Sequence, residues 1–467
     1  MNEPEHIIDK VFLEVNATNQ ETAFAIRDNI SSFLESELFP ELEKVFDKYD
    51  VKDSVILLHQ LKVEVGIDKW ENSAQLKTGI AGRFQGKLQL AINNLPKNGA
   101  AVLEENAVSK LVSLGKNAEA AFLWFLEHGR LPWYGKEEQI SEIAGRENWN
   151  ARIDDDEFFA KLKQLLKNSK FAASRLVLQF PEELVLALVE KNKPALQKRE
   201  LPEIVEILKQ LPVSVRKLFL KFLLSASFGT HRKKQGRREL LKSWAEVENN
   251  IPEKIRSRLL TLLEKIDPGF LQELEKLKKP GFVRPEKEGE ELPEPKTGEV
   301  AETRIPVQNA GLILLHPFLK LFFEEFKIID KNGQLFKPKQ ELAVQVLHFL
   351  ATGNEEFFEG NMVFEKFMCK MPLKWPIQKE SLLTLTIKEE SETLLNSAIK
   401  NWAALKNTSA NGLRHGFLQR PGKLFITENN VRLVVERKTQ DVLLDKLNWN
   451  ILVVKLPWMK KLIQIEW

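Results

Sequence analysis

The sequence has few cysteines and tyrosines and no long apolar run, and each shortage excludes a class of protein. Of its 467 residues, one is cysteine and two are tyrosine. A single cysteine excludes an intramolecular disulfide framework and a cysteine-based zinc site, and it favours a reducing compartment. Apolar runs such as Leu312–Leu315 are short, whereas a bilayer-spanning helix needs about 20 apolar residues. We therefore expect no transmembrane segment and no membrane partner.

An excess of charge of one sign is also lacking. Lys and Arg total 69 and Asp and Glu total 66, which gives a net charge of +3. We therefore expect no nucleic-acid partner. The first six residues include two glutamates, and no apolar core follows them. We therefore expect no secretory leader, and we expect a cytoplasmic protein.

The composition and length predict a globular protein of several parts. Hydrophobic residues make up 43% and charged residues 29% of the chain, as in ordinary globular domains. We predict an α+β protein that is mostly helical in its middle region. Its four expected parts are an N-terminal strand-helix-strand module (1–70), a helical domain (71–279), a Pro/Glu-rich linker (280–306) and a C-terminal α+β domain with a β-hairpin (307–467).

The N-terminal prediction rests on two apolar segments and the helix between them. His6–Val15 and Ser54–Gly66 are rich in strand-forming residues, and Leu61–Gly66 alternates apolar with charged residues. Thr18 and Glu21 form a capping-box pattern. Helical spacing then follows for five apolar residues: Ile26, Ile30, Phe33, Leu34 and Phe39.

In the middle region, three helix starts share a Pro-Glu pair: Pro181-Glu182, Pro202-Glu203 and Pro252-Glu253. Proline suits the first helical turn, and glutamate complements the positive end of the helix dipole. The starts are unevenly spaced, which favours an irregular helical domain over a solenoid.

In the C-terminal region we predict helices near 309–326, 339–351 and 389–405, with Trp402 on a buried stripe. Asn429 and Asn430 separate two β-rich runs, Leu424–Thr427 and Val431–Arg437, which predicts a hairpin. Ile451–Lys455 and Leu462–Trp467 are expected to form two further short strands.

Catalytic motifs are absent from the sequence, and the remaining candidates have simpler interpretations. Asp154–Glu157 could be a metal or acid/base cluster, but four acidic residues before an apolar run are more typical of a helix cap. Cys369 could be a nucleophile, yet no His-Asp arrangement near it would orient it, so we interpret it as buried. The basic run His231–Arg238 could grip phosphates or an acidic partner, but without interleaved aromatic residues we interpret it as a solvated loop. We thus predict no enzyme, no cofactor and no metal site.

Tryptophan is unusually frequent, with 10 residues against the two tyrosines. Several tryptophans follow an apolar residue at short spacing, and one ends the chain. They could plug domain edges or anchor a partner, since tryptophan and arginine dominate interface hot spots. The elements concerned are Leu131-Pro132-Trp133-Tyr134, Leu447-Asn448-Trp449, Leu456-Pro457-Trp458-Met459 and Trp467.

An ordered set of segments resembles the tape measure protein family of contractile injection systems, which are phage-tail-like bacterial devices. No single segment is specific, but their order along the chain is. The resemblance is dense over 307–467 and sparser before it. Its segments are Val307–Leu319, Trp402–Phe417, Phe417–Arg420, Val435–Arg437, Asp441–Asp445, Leu456–Met459 and Glu466–Trp467, with Gly129–Trp133 in the helical region and His6-Ile7 and Leu61–Gly66 near the N-terminus.

The resemblance implies a non-enzymatic assembly protein that sets or organises the length of an inner tube. Its implied partners are inner-tube and baseplate proteins, with self-association as an additional option, and it could be incorporated into the assembled particle. The rival hypothesis is a cytoplasmic assembly chaperone or adaptor for tube or effector subunits. We expect 307–467 to act as a docking head while the helical region and linker extend or multimerise inside the tube. The candidate partner-interface residues are Trp133, Trp402, Arg414, Phe417, Arg420, Trp449, Pro457, Trp458 and Trp467.

Overall fold

The fold is known from a computed structural model. The structure describes residues 6–8, 11–16, 19–66, 73–95, 110–169, 171–192, 201–229, 241, 244, 248, 251–266, 268–278, 303–427 and 430–467. The chain divides into two compact units. The first comprises Met1–Ala121 and Trp133–Gly135, and the second comprises Phe122–Pro132 and Lys136–Trp467.

The first unit packs helices around a small core of its own. Its elements are α1 (Gln20–Phe33), a π-helical turn (Leu34–Leu38), α2 (Phe39–Asp47), β1 (Ser54–Leu57), α3 (Ser73–Asn93), β2 (Lys110–Ser113) and the start of α4 (Leu114–His128). β1 pairs antiparallel with β2. The core side chains are Phe33, Leu38, Leu42 and Leu76.

The predicted helix of this unit is confirmed, and its predicted strands are largely wrong. Ile26 and Phe33 are buried on α1 as their spacing indicated. Only the first four residues of Ser54–Gly66 form a strand, and none of the described residues of His6–Val15 does. A strand requires a neighbour that hydrogen-bonds to its backbone. β2 pairs only with the four residues of β1. Thr18 of the predicted capping box lies outside the described residues.

The second unit begins with a long series of helices. They are the end of α4, then α5 (Glu137–Ile143), α6 (Arg146–Asp154), α7 (Asp156–Asn168), α8 (Ala172–Gln179), α9 (Glu182–Asn192), α10 (Leu201–Leu208), α11 (Val213–Phe228), α12 (Glu253–Ile266) and α13 (Phe270–Lys278). The predicted Pro-Glu helix starts are confirmed: α9 and α12 begin at Glu182 and Glu253, and Pro202 lies in the first turn of α10. The basic run His231–Arg238 lies outside the described residues.

The C-terminal part of this unit packs helices against a five-stranded mixed sheet. Its strands are β3 (Thr303–Val307), β4 (Gly422–Ile426), β5 (Val431–Val435), β6 (Val453–Val454) and β7 (Ile463–Glu466), in the order β3-β4-β5-β7-β6. β5 and β7 are parallel and the other neighbours antiparallel. The helices are α14 (His316–Glu325), α15 (Gln340–Thr352), α16 (Val363–Met368), α17 (Leu385–Asn401) and α18 (Ala410–Leu413).

The helix-rich α+β prediction is confirmed, including the hairpin of β4 and β5 and the two final strands. The sequence did not predict β3, whose first four residues fall within the expected linker 280–306. Proline is uncommon inside sheets because it cannot donate a ladder hydrogen bond, so Pro306 argued against a strand in the sequence. The structure accommodates this proline because β3 is an edge strand. Residues 280–302 lie outside the described residues. Among the helices that the structure describes, none combines the length and apolar character needed to cross a bilayer.

Candidate functional site

Several of the segments that carry the family resemblance contact one another in the second unit. The N–H of Ala310 donates to the carbonyl oxygen of Arg420 at 2.9 Å. At Gly311, a Cβ atom would lie 1.7 Å from the carbonyl oxygen of Phe417, so the two backbones touch. Farther along, the N–H of Glu436 donates to the carbonyl of Pro421 at 2.9 Å. The ordered segments of the sequence thus meet beside the sheet.

Trp402 lies at the centre of an aromatic group at the C-terminal end of α17. Its side chain is buried, as predicted. The ring lies 4.7 Å from that of Phe417 and 6.4 Å from that of Trp449, measured between centroids. Its Nε1 donates to the carbonyl of Leu443 at 3.0 Å, which satisfies the only polar atom of the indole.

A buried ion pair joins this group to the last residue of the chain. The guanidinium of Arg420 is fully buried and donates through Nη2 to Oδ1 of Asp441 at 2.6 Å. Trp467 Nε1 donates to the other carboxylate oxygen, Oδ2, at 3.0 Å. Because Arg420 also lies 5.7 Å from the ring centroid of Phe417, the ion pair and the aromatic rings form one structure.

Two further predicted tryptophans are tied to backbone carbonyls of the C-terminal part. Trp449 Nε1 donates to Leu314 at 3.0 Å, and its half-buried ring also packs against the core. Trp458 is buried, stacks on Phe323 at 5.0 Å between centroids and donates to Met368 at 2.7 Å. Pro457, the residue before it, is exposed.

Arg414 holds α15 and α17 together from a buried position. Its Nε donates to the carbonyl of Leu350 at 3.2 Å, and Nη1 donates to Asn411 Oδ1 at 2.9 Å. Nη2 forms an ion pair with Glu392. A Cβ atom at Gly353 would lie 3.3 Å from the guanidinium carbon, so this glycine makes room for the arginine as well as adopting a positive φ of 74°.

Trp133 belongs to the other compact unit and is 41% exposed. Its ring meets that of Tyr134 edge-on at 5.5 Å between centroids. Burial raises the pKa of the Tyr134 hydroxyl above its usual value. The structure thus links five predicted residues: Trp402, Phe417, Arg420, Trp449 and Trp467. Within the same unit, the contacts of Arg414 and Trp458 described above are made with other residues.

Sequence reasoning missed a buried ionic cluster that connects the helical region to the C-terminal part. Arg175 of α8 donates from Nε to Glu359 Oε2 at 3.0 Å and from Nη2 to Oε1 at 3.1 Å. Lys366 Nζ donates to Oε1 of the same carboxylate at 2.5 Å. All three side chains are fully buried. Two cations therefore share one carboxylate in the interior.

Burial lowers the pKa of Lys366 to about 8, which outweighs the opposing attraction of Glu359. Three acceptors nevertheless solvate its ammonium group: Glu359 and the carbonyls of Leu373 at 3.0 Å and Trp375 at 2.8 Å. A backbone carbonyl also accepts a hydrogen bond from Arg175, whose Nη2 donates to the carbonyl oxygen of Lys374 at 2.6 Å. These bonds compensate for much of the lost hydration.

Gln179, one turn after Arg175 on α8, extends the same connection. Its Nε2 donates to the carbonyl of Ile377 at 2.7 Å, and its Oε1 accepts from the N–H of Glu359 at 3.0 Å. The N–H of Lys379 donates to the carbonyl of Leu178 at 3.0 Å. Arg175 and Gln179, two long polar residues at i and i+4 on a mostly apolar helix, were the one sequence signal for this contact.

A second buried polar group surrounds Glu365 on α16. Its Oε1 accepts from Asn309 Nδ2 at 2.7 Å and lies 3.0 Å from Nδ1 of His348. Cys369 is fully buried nearby, and burial together with the charge of Glu365 raises the pKa of its thiol well above the usual value. The interpretation of Cys369 as a buried thiol is confirmed, since a protonated thiol is a poor nucleophile.

The acidic run Asp154–Glu157 caps a helix, as we interpreted it. Asp155 is the N-cap of α7, and its Oδ1 accepts from the N–H groups of Glu157 at 2.8 Å and Phe158 at 3.1 Å. Asp154 instead forms an ion pair with Lys191 at 2.8 Å. Across the described parts of the chain, no group of three or more His, Cys, Asp or Glu side chains is placed to hold a metal ion.

Comparison with known proteins gives one match. The model of a family described as contractile injection system tape measure protein matches residues 5–467, which is nearly the whole chain. No curated protein and no solved structure matches the chain.

Proposed function

Because the chain belongs to the contractile injection system tape measure protein family, we propose that it is a non-enzymatic assembly protein that sets or organises inner-tube length. The observation that carries this proposal is the family match across 5–467. Two candidate reactive residues have structural roles, which supports the proposal that the protein is non-enzymatic: Asp155 caps a helix, and the Cys369 thiol is buried.

We propose that 307–467 is a docking head for inner-tube and baseplate proteins. Among the predicted interface residues of this part, Pro457 is exposed and Trp449 and Trp467 are half-buried, so these three are suited to contact a partner. The buried residues Trp402, Arg414, Phe417, Arg420 and Trp458 would support that surface from below. Trp133, the most exposed tryptophan of the predicted set, is a separate candidate contact on the first unit.

We propose further that the helical region of the second unit and the linker before β3 extend or multimerise inside the tube, while the first compact unit remains a separate module. A continuous helix of 467 residues would span roughly 700 Å, but the longest described helix, α3, has 21 residues. Extension beyond α8 would separate Arg175 from Glu359. The ionic cluster therefore opposes premature extension in this proposal.

Tube length measured by electron microscopy tests the proposal. Deleting 20 residues from 281–300 should shorten the tube by about 30 Å if that length is read as helix. The matched control replaces the glutamates of the same segment by glutamine and keeps its length, so its tubes should be unchanged. Normal particles with unaltered tubes after the deletion would contradict a length-setting role.

Mass spectrometry of purified particles tests where the protein acts. We propose that it is made in the cytoplasm and becomes a component of the assembled particle, so its peptides should be recovered in a fixed ratio to tube subunits. Complete particles without these peptides would instead favour an assembly chaperone.

A further inference from the structure

The two edges of the five-stranded sheet differ in their capacity to accept another strand. β3 forms one edge and β6 the other. At the β3 edge, Pro306 carries no backbone N–H and so removes a donor that an added strand would need. At the β6 edge, Leu452 is 65% and Val453 is 47% exposed. The first edge is protected by proline and the second is open.

The register of β6 shows which backbone groups face outward. Leu452 lies opposite Ile465, and its carbonyl accepts the N–H of Ile465 at 2.8 Å. Val454 pairs with Ile463. Because hydrogen-bonded pairs alternate along an antiparallel ladder, the N–H and carbonyl of Val453 point away from β7. They form one complete donor and acceptor pair for an incoming strand.

The side chains at this edge are apolar and basic. Val453 lies opposite Gln464, so Leu462, two residues before Gln464 and 51% exposed, shares its outer face, and Leu452 lies on the inner one. Residues 447–465 contain Lys455, Lys460 and Lys461 and no carboxylate. The three lysines are exposed, and none forms an ion pair with a carboxylate of the described residues. Lys461 Nζ donates to the carbonyl of Thr427 at 3.1 Å, next to β4 and so on the side of β7 away from β6, which leaves Lys455 and Lys460 for this edge.

We propose that the β6 edge, defined by Leu452–Lys455 with Lys460–Leu462, binds an extended segment of another protein in which apolar residues alternate with acidic ones. Main-chain bonds to Val453 supply affinity, as in other cases of strand addition. Apolar side chains of the segment cover Leu452 and Val453. Its carboxylates meet Lys455 and Lys460, which selects against basic segments. This binding does not depend on tube-length control.

A binding assay with the full-length protein tests the edge directly. The probes are two fluorescein-labelled nine-residue peptides, one alternating valine with glutamate and the other alternating valine with lysine. At low salt the glutamate peptide should bind at least about tenfold more tightly, because surface charge pairs are then weakly screened and act together. Equal binding of the two peptides, or no binding of either, would overturn the proposal.

Two variants separate the backbone contribution from the charges. Val453→Pro reproduces the donor loss found at Pro306 and should weaken binding of the glutamate peptide at least about tenfold. The double reversal Lys455→Glu, Lys460→Glu should transfer the preference to the lysine peptide. Because the reversal changes only exposed side chains, it remains informative if the proline variant misfolds. Wild-type behaviour in either folded variant would overturn the assignment.

Two leucine variants test whether the peptide binds any exposed leucine side chain. The oligomeric state tests whether a second copy of the chain binds the edge instead. Leu452→Ser should weaken binding, whereas Leu321→Ser, at a position 72% exposed on α14, should leave it unchanged. Equal effects would overturn the proposal. A wild-type chain that dimerises, with the dimer lost in Val453→Pro, would assign the edge to a second copy and contradict an acidic partner. Tube length is a separate measurement, so failure here is distinguishable from failure of the assembly role.

Discussion

Arg175 and Glu359 form a two-bond ion pair with both side chains fully buried, although they lie 184 positions apart in the sequence. The pair joins α8 to the segment before α16. Its charges are desolvated, so neither residue can lose its partner without leaving an uncompensated charge inside the protein. The helical region and the C-terminal part are consequently coupled in stability.

Replacing Glu359 by glutamine should destabilise the protein strongly. The change removes the carboxylate that Arg175 and Lys366 share and leaves two buried cations. Loss of one member of a buried pair typically costs about 3–5 kcal/mol of unfolding free energy. Urea unfolding of the full chain, followed by hydrogen exchange of α8, measures the effect.

The matched control is Glu355→Gln, which breaks an ion pair of 2.9 Å with Lys388 that is partly exposed. Such pairs contribute about 1 kcal/mol or less. If the two variants unfold at the same urea concentration and protect α8 equally, the buried cluster does not hold the two regions together.

Lys366 should make the free energy of unfolding depend on pH in the alkaline range. Its folded pKa of about 8 lies below the unfolded value of about 10.4. Between these values the unfolded state binds more protons, so the contribution of Lys366 to the unfolding free energy rises with pH, by about 1.4 kcal/mol per unit at most. The difference in unfolding free energy between wild type and Lys366→Met should therefore increase from pH 8 to pH 10.

Using a difference between two proteins removes the contribution of other groups. The raised thiol pKa of Cys369 acts in the opposite direction, since the unfolded thiol releases its proton first and stability falls above its unfolded pKa. That contribution is common to both proteins and cancels. A difference that stays constant or falls across this range would show that Lys366 is not buried as a weakened base.

Local periodicity predicted much of the fold, because its signals lie within single elements. The spacing around Ile26 placed α1, the Pro-Glu pairs placed α9, α10 and α12, and Asn430 marked the end of the turn before β5. The strand expected at Leu61–Gly66 failed because alternation identifies a half-buried segment but not a pairing neighbour. Leu61 and Val63 are indeed half-buried and Lys62 is exposed.

The candidate site was less accessible to sequence reasoning, because burial of a tryptophan depends on distant neighbours. Trp402 was placed on a buried stripe by helical spacing, whereas nothing near Trp458 indicated that Phe323 would cover it. The partner of Arg175 lies in another part of the chain, so no local pattern could identify it. Whether the predicted interface residues bind a partner stays a prediction.

Cys369 should be unreactive toward thiol reagents until the protein unfolds. The thiol is fully buried and its pKa is raised, so both access and ionisation are suppressed. Ellman's reagent at pH 8 should label the native chain slowly and the urea-unfolded chain at once. As this is the only cysteine, the signal has one source.

The control introduces a cysteine at an exposed site of α17 while removing the native one, as Cys369→Ala with Asn396→Cys. This variant should react rapidly in the native state. Comparable rates for the native chain and this variant would show that Cys369 is accessible.

Asp155→Ala should weaken the start of α7 by about 1 kcal/mol, because its side chain accepts two backbone N–H groups there. Asp155→Asn should retain most of that stability, since asparagine caps equally well. Hydrogen exchange of α7 gives the local reading. Equal losses in both variants would indicate that the negative charge, rather than the cap, is what matters.

Gly311→Ala should be more damaging than an ordinary glycine substitution, because the added methyl would lie 1.7 Å from the carbonyl oxygen of Phe417. The atoms that the methyl would meet belong to the backbone of Phe417 and Leu418, so relief requires a shift of the chain, and a cost of about 1–3 kcal/mol or more is expected. Gly416→Ala is the matched control in the facing segment, since no other atom lies within 4 Å of a Cβ placed there. Thermal unfolding of the full chain should show a clear fall in midpoint for the first variant and little change for the second. Similar midpoints would mean that the two segments do not meet at Gly311, and the close backbone contact within the family's C-terminal segments would be refuted.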